Sequence, residues 1–246
     1  MRKSVIIIPA RLSATRLPRK PLLKINNIPM IIHTMRCGKK SNIGEVIIAT
    51  PDKEIFDLVE KHSGKAIITR KDHFSGTDRV AEVIAKLSDD DIKICINLQV
   101  DLPNLNYEDI KKLNHLMQKH KCEIGTLASP IQNKNELKNT NIVKVETKEI
   151  LDDSNFVRAI NFFRETPSST NKIVYHHIGI YAYEVQTLNK YINLKRTQNE
   201  INRSLEQMRA IDNNISIHVA LSGSLPLGVD TKEDFVAVKK SMEYKD

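Results

Sequence analysis

The segment Val5-Ile6-Ile7-Ile8-Pro9-Ala10-Arg11 carries the strongest structural signal in this chain. Its four consecutive β-branched residues predict a strand that is buried on both faces, which is typical of the centre of a parallel sheet. Open α/β sheets bind their ligands in the loops that follow the carboxyl ends of such strands. The loop that begins at Pro9 is therefore the first candidate for a binding site.

This loop is strongly basic, and prolines stiffen it. Its cations are Arg11, Arg16, Arg19 and Lys20, and its prolines are Pro9, Pro18 and Pro21. Arginine and lysine gathered at the end of a strand indicate a polyanionic ligand, and a nucleoside triphosphate is the best small candidate. A basic loop that is merely solvated is the alternative interpretation.

The composition of the 246-residue chain disfavours several classes of protein. No apolar run approaches twenty residues and the start of the chain lacks a signal-cleavage pattern, so we expect neither a membrane span nor secretion. The three scattered cysteines, Cys37, Cys95 and Cys122, argue against a disulfide framework or a zinc site and suit a reducing cytoplasm. The net charge is +8, but the lysines are dispersed, aromatic residues make up 5% and tryptophan is absent. We therefore expect a solvated lysine-rich surface and no nucleic-acid partner.

Strands and helices are predicted to alternate through the first half of the chain. Strands are predicted at 46–50, 66–68 and 92–98, and helices at 30–37, 52–61, 77–87 and 107–120. Asp52 is predicted to cap the second of these helices. The alternation predicts a mostly parallel sheet with helices on both faces.

The second half of the chain has a different pattern. Strands are predicted at 142–147, 156–163, 175–183 and 215–221, and helices at 204–210 and 234–243. The polar residues 165–172 are predicted to form a surface loop. No linker separates independent folding units, so we predict one domain over residues 1–246, with an antiparallel elaboration at about 130–205.

Two aspartates are candidates for holding Mg²⁺. Asp101 follows the strand predicted at 92–98, across from the basic loop, and Mg²⁺ takes one or two carboxylates together with substrate phosphates. Asp230 precedes the last predicted helix, where it is either a helix cap or a metal ligand. A cap formed by Thr231 with Asp234 would leave Asp230 to the metal.

A third candidate segment is Ser75-Gly76-Thr77-Asp78-Arg79, a polar turn into a predicted helix. Its backbone groups and the guanidinium of Arg79 are suited to a base edge or a phosphate. In isolation, such a turn is a weak signal.

Five motifs, in order along the chain, make it similar to the 3-deoxy-manno-octulosonate cytidylyltransferases, also called CMP-Kdo synthetases. The motifs lie at residues 7–22, 75–79, 177–183, 205–209 and 228–234. They span nearly the whole chain and are together far more specific than any one alone. The resemblance implies a single Rossmann-like nucleotidyltransferase core with a mostly parallel mixed sheet. It also implies that the elaboration at about 130–205 binds the sugar and forms a homodimer.

The resemblance further implies a reaction and its residues. CMP would pass from CTP to the anomeric hydroxyl of 3-deoxy-D-manno-octulosonate (Kdo), with release of pyrophosphate, for lipopolysaccharide biosynthesis in the cytoplasm. Catalysis is assigned to Arg11, Lys20 and Asp101, and Mg²⁺ to Asp101 and Asp230. The nucleotide is assigned to Ala10, Arg11, Lys20, Ser75, Gly76, Arg79 and Gln99, and the sugar acid to Arg158, His177, Tyr181, Glu206 and Gln207.

The chain departs from the family pattern after the central strand, where Gln-Gly-Asp-Glu-Pro is usual. Val100 replaces the glycine and Leu102 replaces the glutamate. If the glycine has a positive φ, valine there would be strained by about 1–3 kcal/mol. If the glycine is there for close approach of the backbone, the valine side chain would crowd the nucleotide. Reversion of both positions is then expected to raise activity. The alternatives are a cytidylyltransferase for a related sugar acid and a CTP-binding homologue with impaired catalysis.

Overall fold

The computed structural model describes residues 2–13, 17–165 and 173–243. Arg16 and most of the surface loop predicted at 165–172 lie outside the described residues. The chain divides into two compact units, of which the first is Met1–Lys111 with Pro226–Asp246 and the second is Lys112–Leu225. Among the described helices, none has the length and apolar character needed to cross a membrane.

The first unit alternates strands and helices as the sequence predicts. Its elements are β1 (Lys3–Pro9), β2 (Lys24–Ile25), β3 (Ile28–Pro29), α1 (Met30–Ser41), β4 (Gly44–Thr50), α2 (Lys53–Lys61), β5 (Lys65–Ile68), α3 (Gly76–Leu87), β6 (Ile92–Asn97) and the start of α4 (Tyr107–His120). Four strands form a parallel sheet in the order β5-β4-β1-β6, which confirms the predicted parallel sheet.

The β-branched run of β1 lies in the interior of this sheet. β1 pairs with β4 on one side and with β6 on the other, and Ile6, Ile7 and Ile8 have no exposed surface. Burial of each such side chain contributes roughly 1.5–3 kcal/mol, so this strand stabilises the unit strongly. Because both neighbours run parallel to β1, the loops after β1 and β6 begin at the same edge of the sheet.

Asp52 has a different role from the predicted one. It occupies the N-cap position of α2, but its side chain makes no capping hydrogen bond. Its Oδ2 instead accepts the backbone N–H of Leu12 at 2.8 Å. The predicted cap is wrong because the carboxylate is turned toward the basic loop, which it anchors to the start of α2.

The second unit contains a mixed sheet. After the end of α4 come β7 (Ile124–Pro130), α5 (Lys134–Lys138), β8 (Lys144–Thr147), β9 (Val157–Phe163), β10 (Ile173–Glu184), α6 (Val185–Ile192), α7 (Gln198–Arg203), α8 (Met208–Asp212) and β11 (Ile217–Leu221). The strand order is β10-β7-β11-β9-β8, and β8 also pairs with β10. These pairings are antiparallel except that of β11 with β7, so the predicted antiparallel character is confirmed.

The second unit differs from the sequence analysis at two places. No element is assigned to Ile124–Pro130 by the sequence analysis, and this segment forms β7, which lies between β10 and β11 in the sheet. The helix predicted at 204–210 begins only at Met208. Its first residue, Ser204, has a φ of 52°, the left-handed conformation that ends α7.

The last helix, α9 (Lys232–Glu243), belongs to the first unit. Thr231 Oγ1 accepts the N–H of Asp234 at 3.2 Å, and Asp234 Oδ2 accepts the N–H of Thr231 at 2.8 Å. This reciprocal arrangement is a capping box, so Thr231 rather than Asp230 caps the helix. A buried apolar cluster connects this part of the chain to the rest of the unit: Ile25, Met30, Val229 and Val238.

Candidate active site

A cavity of about 310 Å³ opens where the loops after β1 and β6 meet the start of α3. It is lined by Pro9, Ala10, Arg11, Leu17, Lys20, Pro21, Ser75, Gly76, Arg79, Gln99, Val100, Asp101 and Asp230. Every residue that the sequence analysis assigns to the nucleotide or the metal is in this set. The fold therefore brings together positions as distant along the chain as Ala10 and Asp230.

Lys20 lies between the two aspartates that are predicted to bind the metal. Its Nζ is 3.2 Å from Asp101 Oδ2 and 3.3 Å from Asp230 Oδ1, and it donates to the Val229 carbonyl at 2.8 Å. The Lys20 side chain is only 13% exposed. The two carboxylates thus converge on one cation, which offsets their mutual repulsion.

Two guanidinium groups add positive charge to the same cavity. Arg11 is exposed, whereas Arg79 is buried and donates to the Arg70 carbonyl at 2.8 Å and to the Thr69 hydroxyl. Burial lowers the pKa of Arg79, and the positive charge of Arg11 lowers it further. Two cations that repel each other in this way favour an anion bound near both of them.

The N-terminus of α3 forms one wall of the cavity. A capping box fixes it, because Ser75 Oγ accepts the Asp78 N–H at 3.1 Å and Asp78 Oδ2 accepts the Ser75 N–H at 3.1 Å. Gly76 lets this wall approach β1 closely, since a Cβ there would lie 3.2 Å from Pro9 Cγ. A side chain at this position would be tight against Pro9, and the wall presents a helix N-terminus that favours electronegative ligand atoms.

Gln99 is held by a chain of polar side chains that the sequence analysis misses. Its Nε2 donates to Asn97 Oδ1 at 2.6 Å, and Asn97 Nδ2 lies 3.4 Å from the Thr77 hydroxyl. Asn97 and Thr77 are both buried, so the amide of Gln99 has a rigid support. The sequence signal that could have found this support is Asn97, a polar residue at the end of the otherwise largely apolar strand β6.

Arg19 differs from the other described cations of the basic loop. It lies outside the cavity lining and pairs with Glu54 on α2. Because Asp52 also holds Leu12 of this loop, the start of α2 fixes the loop at two points. These contacts position the loop while Lys20 lines the cavity.

The acidic residues of the cavity fit a nucleotide-bound Mg²⁺ better than a structural ion. In the part of the chain that the structure describes, no three His, Cys, Asp or Glu side chains form a metal-holding group. Mg²⁺ needs only one or two carboxylates when phosphate oxygens and waters complete its shell. Asp101 and Asp230 are 30% and 46% exposed at their side chains, so both carboxylates are accessible to such an ion.

The two departures from the family pattern have different surroundings. Val100 lines the cavity but has a negative φ, so the backbone strain considered for it is absent. Its carbonyl accepts the Thr34 hydroxyl at 3.2 Å. Leu102 is 6% exposed and is outside the cavity lining. Only Val100 is therefore in a position to contact a ligand in this cavity.

In the second unit, two of the residues assigned to the sugar belong to an aromatic cluster. We define this cluster as Phe162, His177, Tyr181, Tyr183 and Tyr191, whose neighbouring rings lie 5.2–6.1 Å apart. The Tyr191 hydroxyl donates to the Glu206 carbonyl at 2.7 Å, so a third assigned residue touches the cluster. Gln207 follows directly and is also buried.

His177 is held as a neutral hydrogen-bonding group in this cluster. It is 8% exposed, and its Nε2 lies 3.0 Å from the Thr126 hydroxyl. Burial, followed by the charge of His176, lowers the pKa of His177 to about 3. The imidazole is therefore uncharged at neutral pH and suits positioning rather than proton transfer.

Arg158 is the assigned sugar residue that the structure does not bring to the cluster. It is exposed on β9 and lines a separate cavity. That cavity is formed by Lys148, Arg158, Ala159, Ile160, Ile211 and Ile215. The predicted assignment of Arg158 to the sugar acid thus has no geometric support from His177 or Tyr181.

A parallel α/β sheet with a cation-rich, carboxylate-bearing cavity at its ligand-binding edge is the architecture of a nucleotidyltransferase. The sequence comparisons specify the group further. This chain belongs to the cytidylyltransferase family, whose model matches residues 5–217.

Similar proteins cover almost the whole chain. A 3-deoxy-manno-octulosonate cytidylyltransferase of Rhodopseudomonas palustris (strain BisB18) is 37% identical over 243 residues, which is 98% of both chains. One of Bartonella tribocorum is 37% identical over 237 residues, covering 96% of this chain and 97% of its own. A solved CMP:2-keto-3-deoxy-manno-octonic acid synthetase complexed with CTP is 35% identical with a TM-score of 0.88, covering 99% of this chain and 100% of its own.

Proposed function

We propose that this protein transfers CMP from CTP to the anomeric hydroxyl of Kdo and releases pyrophosphate. The observation that carries the proposal is the single cavity in which all the residues assigned to nucleotide and metal are gathered. The similarity to a synthetase complexed with CTP and to relatives named for Kdo supports the same substrates. In the reaction, the hydroxyl oxygen bonds to the α-phosphorus, the bond from that phosphorus to the leaving oxygen breaks, and the hydroxyl loses its proton.

The cations of the cavity would bind the triphosphate and stabilise the leaving group. Negative charge builds on pyrophosphate as it departs, and fixed cations stabilise that charge more in the transition state than in the substrate. Lys20 already contacts two carboxylates, and its flexible stem lets the ammonium donate to phosphate oxygens as well. Arg11 adds a second cation from the same loop.

Asp101 and Asp230 would hold Mg²⁺ together with the nucleotide. Their convergence on the Lys20 ammonium supports this, because two carboxylates that share one cation are close enough to share another. When bound, the ion would neutralise phosphate charge and increase the acidity of the attacking hydroxyl. Gln99, Ser75 and Gly76 would hold the nucleoside through uncharged hydrogen-bonding groups.

The sugar site is proposed to involve His177, Tyr181, Glu206 and Gln207 of the second unit. Their support is the shared aromatic cluster, which fixes the His177 imidazole and places the Glu206 backbone beside Tyr191. Cytoplasmic location is supported by three buried cysteines that form no disulfide bond in the described structure and so need no oxidising compartment. The homodimer and the place in lipopolysaccharide biosynthesis stay predictions from the resemblance.

The test is pyrophosphate release from CTP with a panel of sugar acids, including Kdo, an 8-amino relative and a sialic acid. We expect turnover with Kdo that requires Mg²⁺ and stops when EDTA removes it. UTP in place of CTP is the matched control for the nucleotide. Turnover with one of the other sugar acids and none with Kdo would identify that acid as the substrate. CTP binding without turnover for any acid would identify an impaired homologue.

A further inference from the structure

Phe74 is an unusually exposed aromatic residue beside the candidate active site. It is 88% exposed, whereas the next most exposed large apolar side chain among the described residues, Ile150, is 69% exposed. Phe74 immediately precedes Ser75 and Gly76, which line the cavity. Phe74 is not itself among the residues that line the cavity, so its ring is an exposed apolar surface one residue away from the lining along the chain.

The loop that carries Phe74 is held firmly on the N-terminal side of the ring. Glu82 of α3 accepts the Arg70 N–H at 3.0 Å and also hydrogen-bonds the ring of His73, which is buried. Burial alone would raise the pKa of Glu82, but hydrogen bonds from Lys86, His73 and the Arg70 backbone lower it to about 2. The carboxylate is therefore charged at neutral pH and keeps these contacts.

The chain is equally fixed on the other side of Phe74. The capping box between Ser75 and Asp78 sets the first turn of α3. Arg79 anchors the same turn from within through its bond to the Arg70 carbonyl. Phe74 thus projects from a braced loop, and its exposure is a property of a fixed backbone.

The charges in the cavity indicate which part of a nucleotide lies nearest to Phe74. Lys20 contacts both Asp101 and Asp230, and these three side chains form one charged end of the cavity. Gly76 and Gln99 approach each other at another part of the wall, where a Cβ on Gly76 would lie 3.7 Å from Gln99 Oε1. The ammonium of Lys20 and the Mg²⁺ proposed for the two aspartates favour the phosphates at that end, so the base is left to the uncharged groups of Ser75, Gly76 and Gln99.

We propose that Phe74 is a substrate-binding residue that stacks on the cytosine base of CTP. This inference rests on the proposed function for the identity of the nucleotide. Stacking of a base on an aromatic side chain tolerates any ring with a π-face and needs no hydrogen bond. The hydrogen-bonding groups of the cavity would then select the base while Phe74 increases the affinity.

Kinetics with three variants test this role. Phe74→Ala should raise the KM for CTP about tenfold, within the range that removal of a base–aromatic stack produces. The kcat and the KM for Kdo should change little, and Phe74→Tyr and Phe74→Trp should restore the KM for CTP. Val236→Ala is the matched control, because Val236 is 58% exposed on α9 and outside the cavity.

Tripolyphosphate separates a base contact from a disturbed loop, since it has the phosphates without the base. Its inhibition constant should be the same in the Phe74→Ala variant and the wild type. An unchanged KM for CTP in Phe74→Ala, or a parallel loss of tripolyphosphate affinity, would overturn the assignment of Phe74 to the base.

Fluorescence gives a readout that does not depend on turnover. The chain has no tryptophan, so Phe74→Trp introduces a single indole, which CTP should quench and tripolyphosphate should not. Val236→Trp should respond to neither. Quenching by CTP without turnover in the wild type would support the stacking and refute the proposed reaction. Turnover with no quenching would refute the stacking alone.

Discussion

The cavity of the first unit and the aromatic cluster of the second unit both contain polar residues that the sequence singles out, but they are built differently. Among the cavity residues, Asp101 and Asp230 lie in loops and Lys20 begins a short 3-10 helix (Lys20–Leu22), and all three keep part of their surface exposed. His177 and Tyr181 of the cluster lie within β10 and contact other side chains of the same unit. A polar residue beyond a strand end is thus available to a ligand, whereas one within a strand also stabilises the fold.

A buried ion pair supports the aromatic cluster, whereas the charged groups of the cavity are partly exposed. Glu200 and Arg209 are 3% and 4% exposed and form a two-pronged ion pair at 2.8 and 2.7 Å. The guanidinium of Arg209 also lies 4.9 Å from the centre of the Tyr191 ring. Substitutions in the cavity should therefore reduce activity at nearly constant stability, and substitutions under the cluster should reduce stability first.

The largest effect is expected from Asp101→Asn and Asp230→Asn. Each removes one of the carboxylates proposed to hold Mg²⁺, and loss of metal assistance lowers turnover by about a hundredfold to ten-thousandfold. The melting temperature should change little, since both side chains are partly exposed. The measurement is pyrophosphate release as a function of Mg²⁺ concentration, together with thermal unfolding.

Glu54→Gln is the control for this pair, because Glu54 is an exposed carboxylate that pairs with Arg19 outside the cavity. It should keep the metal dependence of the wild type. Normal turnover in both aspartate variants would show that Asp101 and Asp230 are not the ligands of the catalytic Mg²⁺. A large loss of stability in either variant would show that the aspartate stabilises the fold, as the residues under the aromatic cluster do.

Glu200→Gln should produce the opposite result. Breaking a buried ion pair by neutralising one partner leaves the other charge uncompensated and costs about 3–5 kcal/mol. Urea unfolding measures this loss, and kcat per folded molecule should be close to that of the wild type. Glu108→Gln, which breaks an exposed pair with Lys111, should cost less than about 1 kcal/mol. Equal stability of the two variants would show that the buried pair has no special role.

Lys20→Met should reduce kcat by about a hundredfold to a thousandfold, as expected for loss of one fixed donor facing a developing oxyanion. Methionine keeps the apolar stem, so packing against the loop is preserved. The two aspartates lose the ammonium that links them, which should be visible as tighter Mg²⁺ binding without nucleotide. Activity and CTP affinity equal to the wild type would mean that Lys20 has a structural role and takes no part in nucleotide binding or catalysis.

The sequence predicts the cavity well because its signals are local. The run from Val5 to Ile8 defines a buried strand, and the rule that ligands bind after such strands places Lys20 and Asp101. β7 was not predicted because it is rich in small residues and is defined by its pairing with β10 and β11, which are distant in sequence. The turn of Asp52 toward Leu12 and the exposure of Phe74 likewise depend on tertiary contacts that no local pattern encodes.

The smallest effect is expected at Val100, where the family usually has glycine. The sequence alone suggests a defect that reversion would relieve, but the negative φ removes the strain. The hydrogen bond from Thr34 uses the Val100 backbone carbonyl and is independent of the side chain. Leu102 is left unchanged in this test, because a glutamate at a 6% exposed position would bury a charge.

Val100→Gly therefore isolates the effect of one side chain on the cavity wall. We expect the KM for CTP and the kcat to change by less than about threefold, with a small loss of stability from the added backbone freedom. Gly76→Ala is the informative comparison, since its Cβ would lie 3.2 Å from Pro9 and should narrow the cavity that Val100→Gly widens. A rise in kcat/KM of about tenfold or more in Val100→Gly would show that valine obstructs the nucleotide. The cavity of the first unit would then be a site that this chain has partly closed, and the low activity of an impaired homologue would follow from one methyl-bearing side chain.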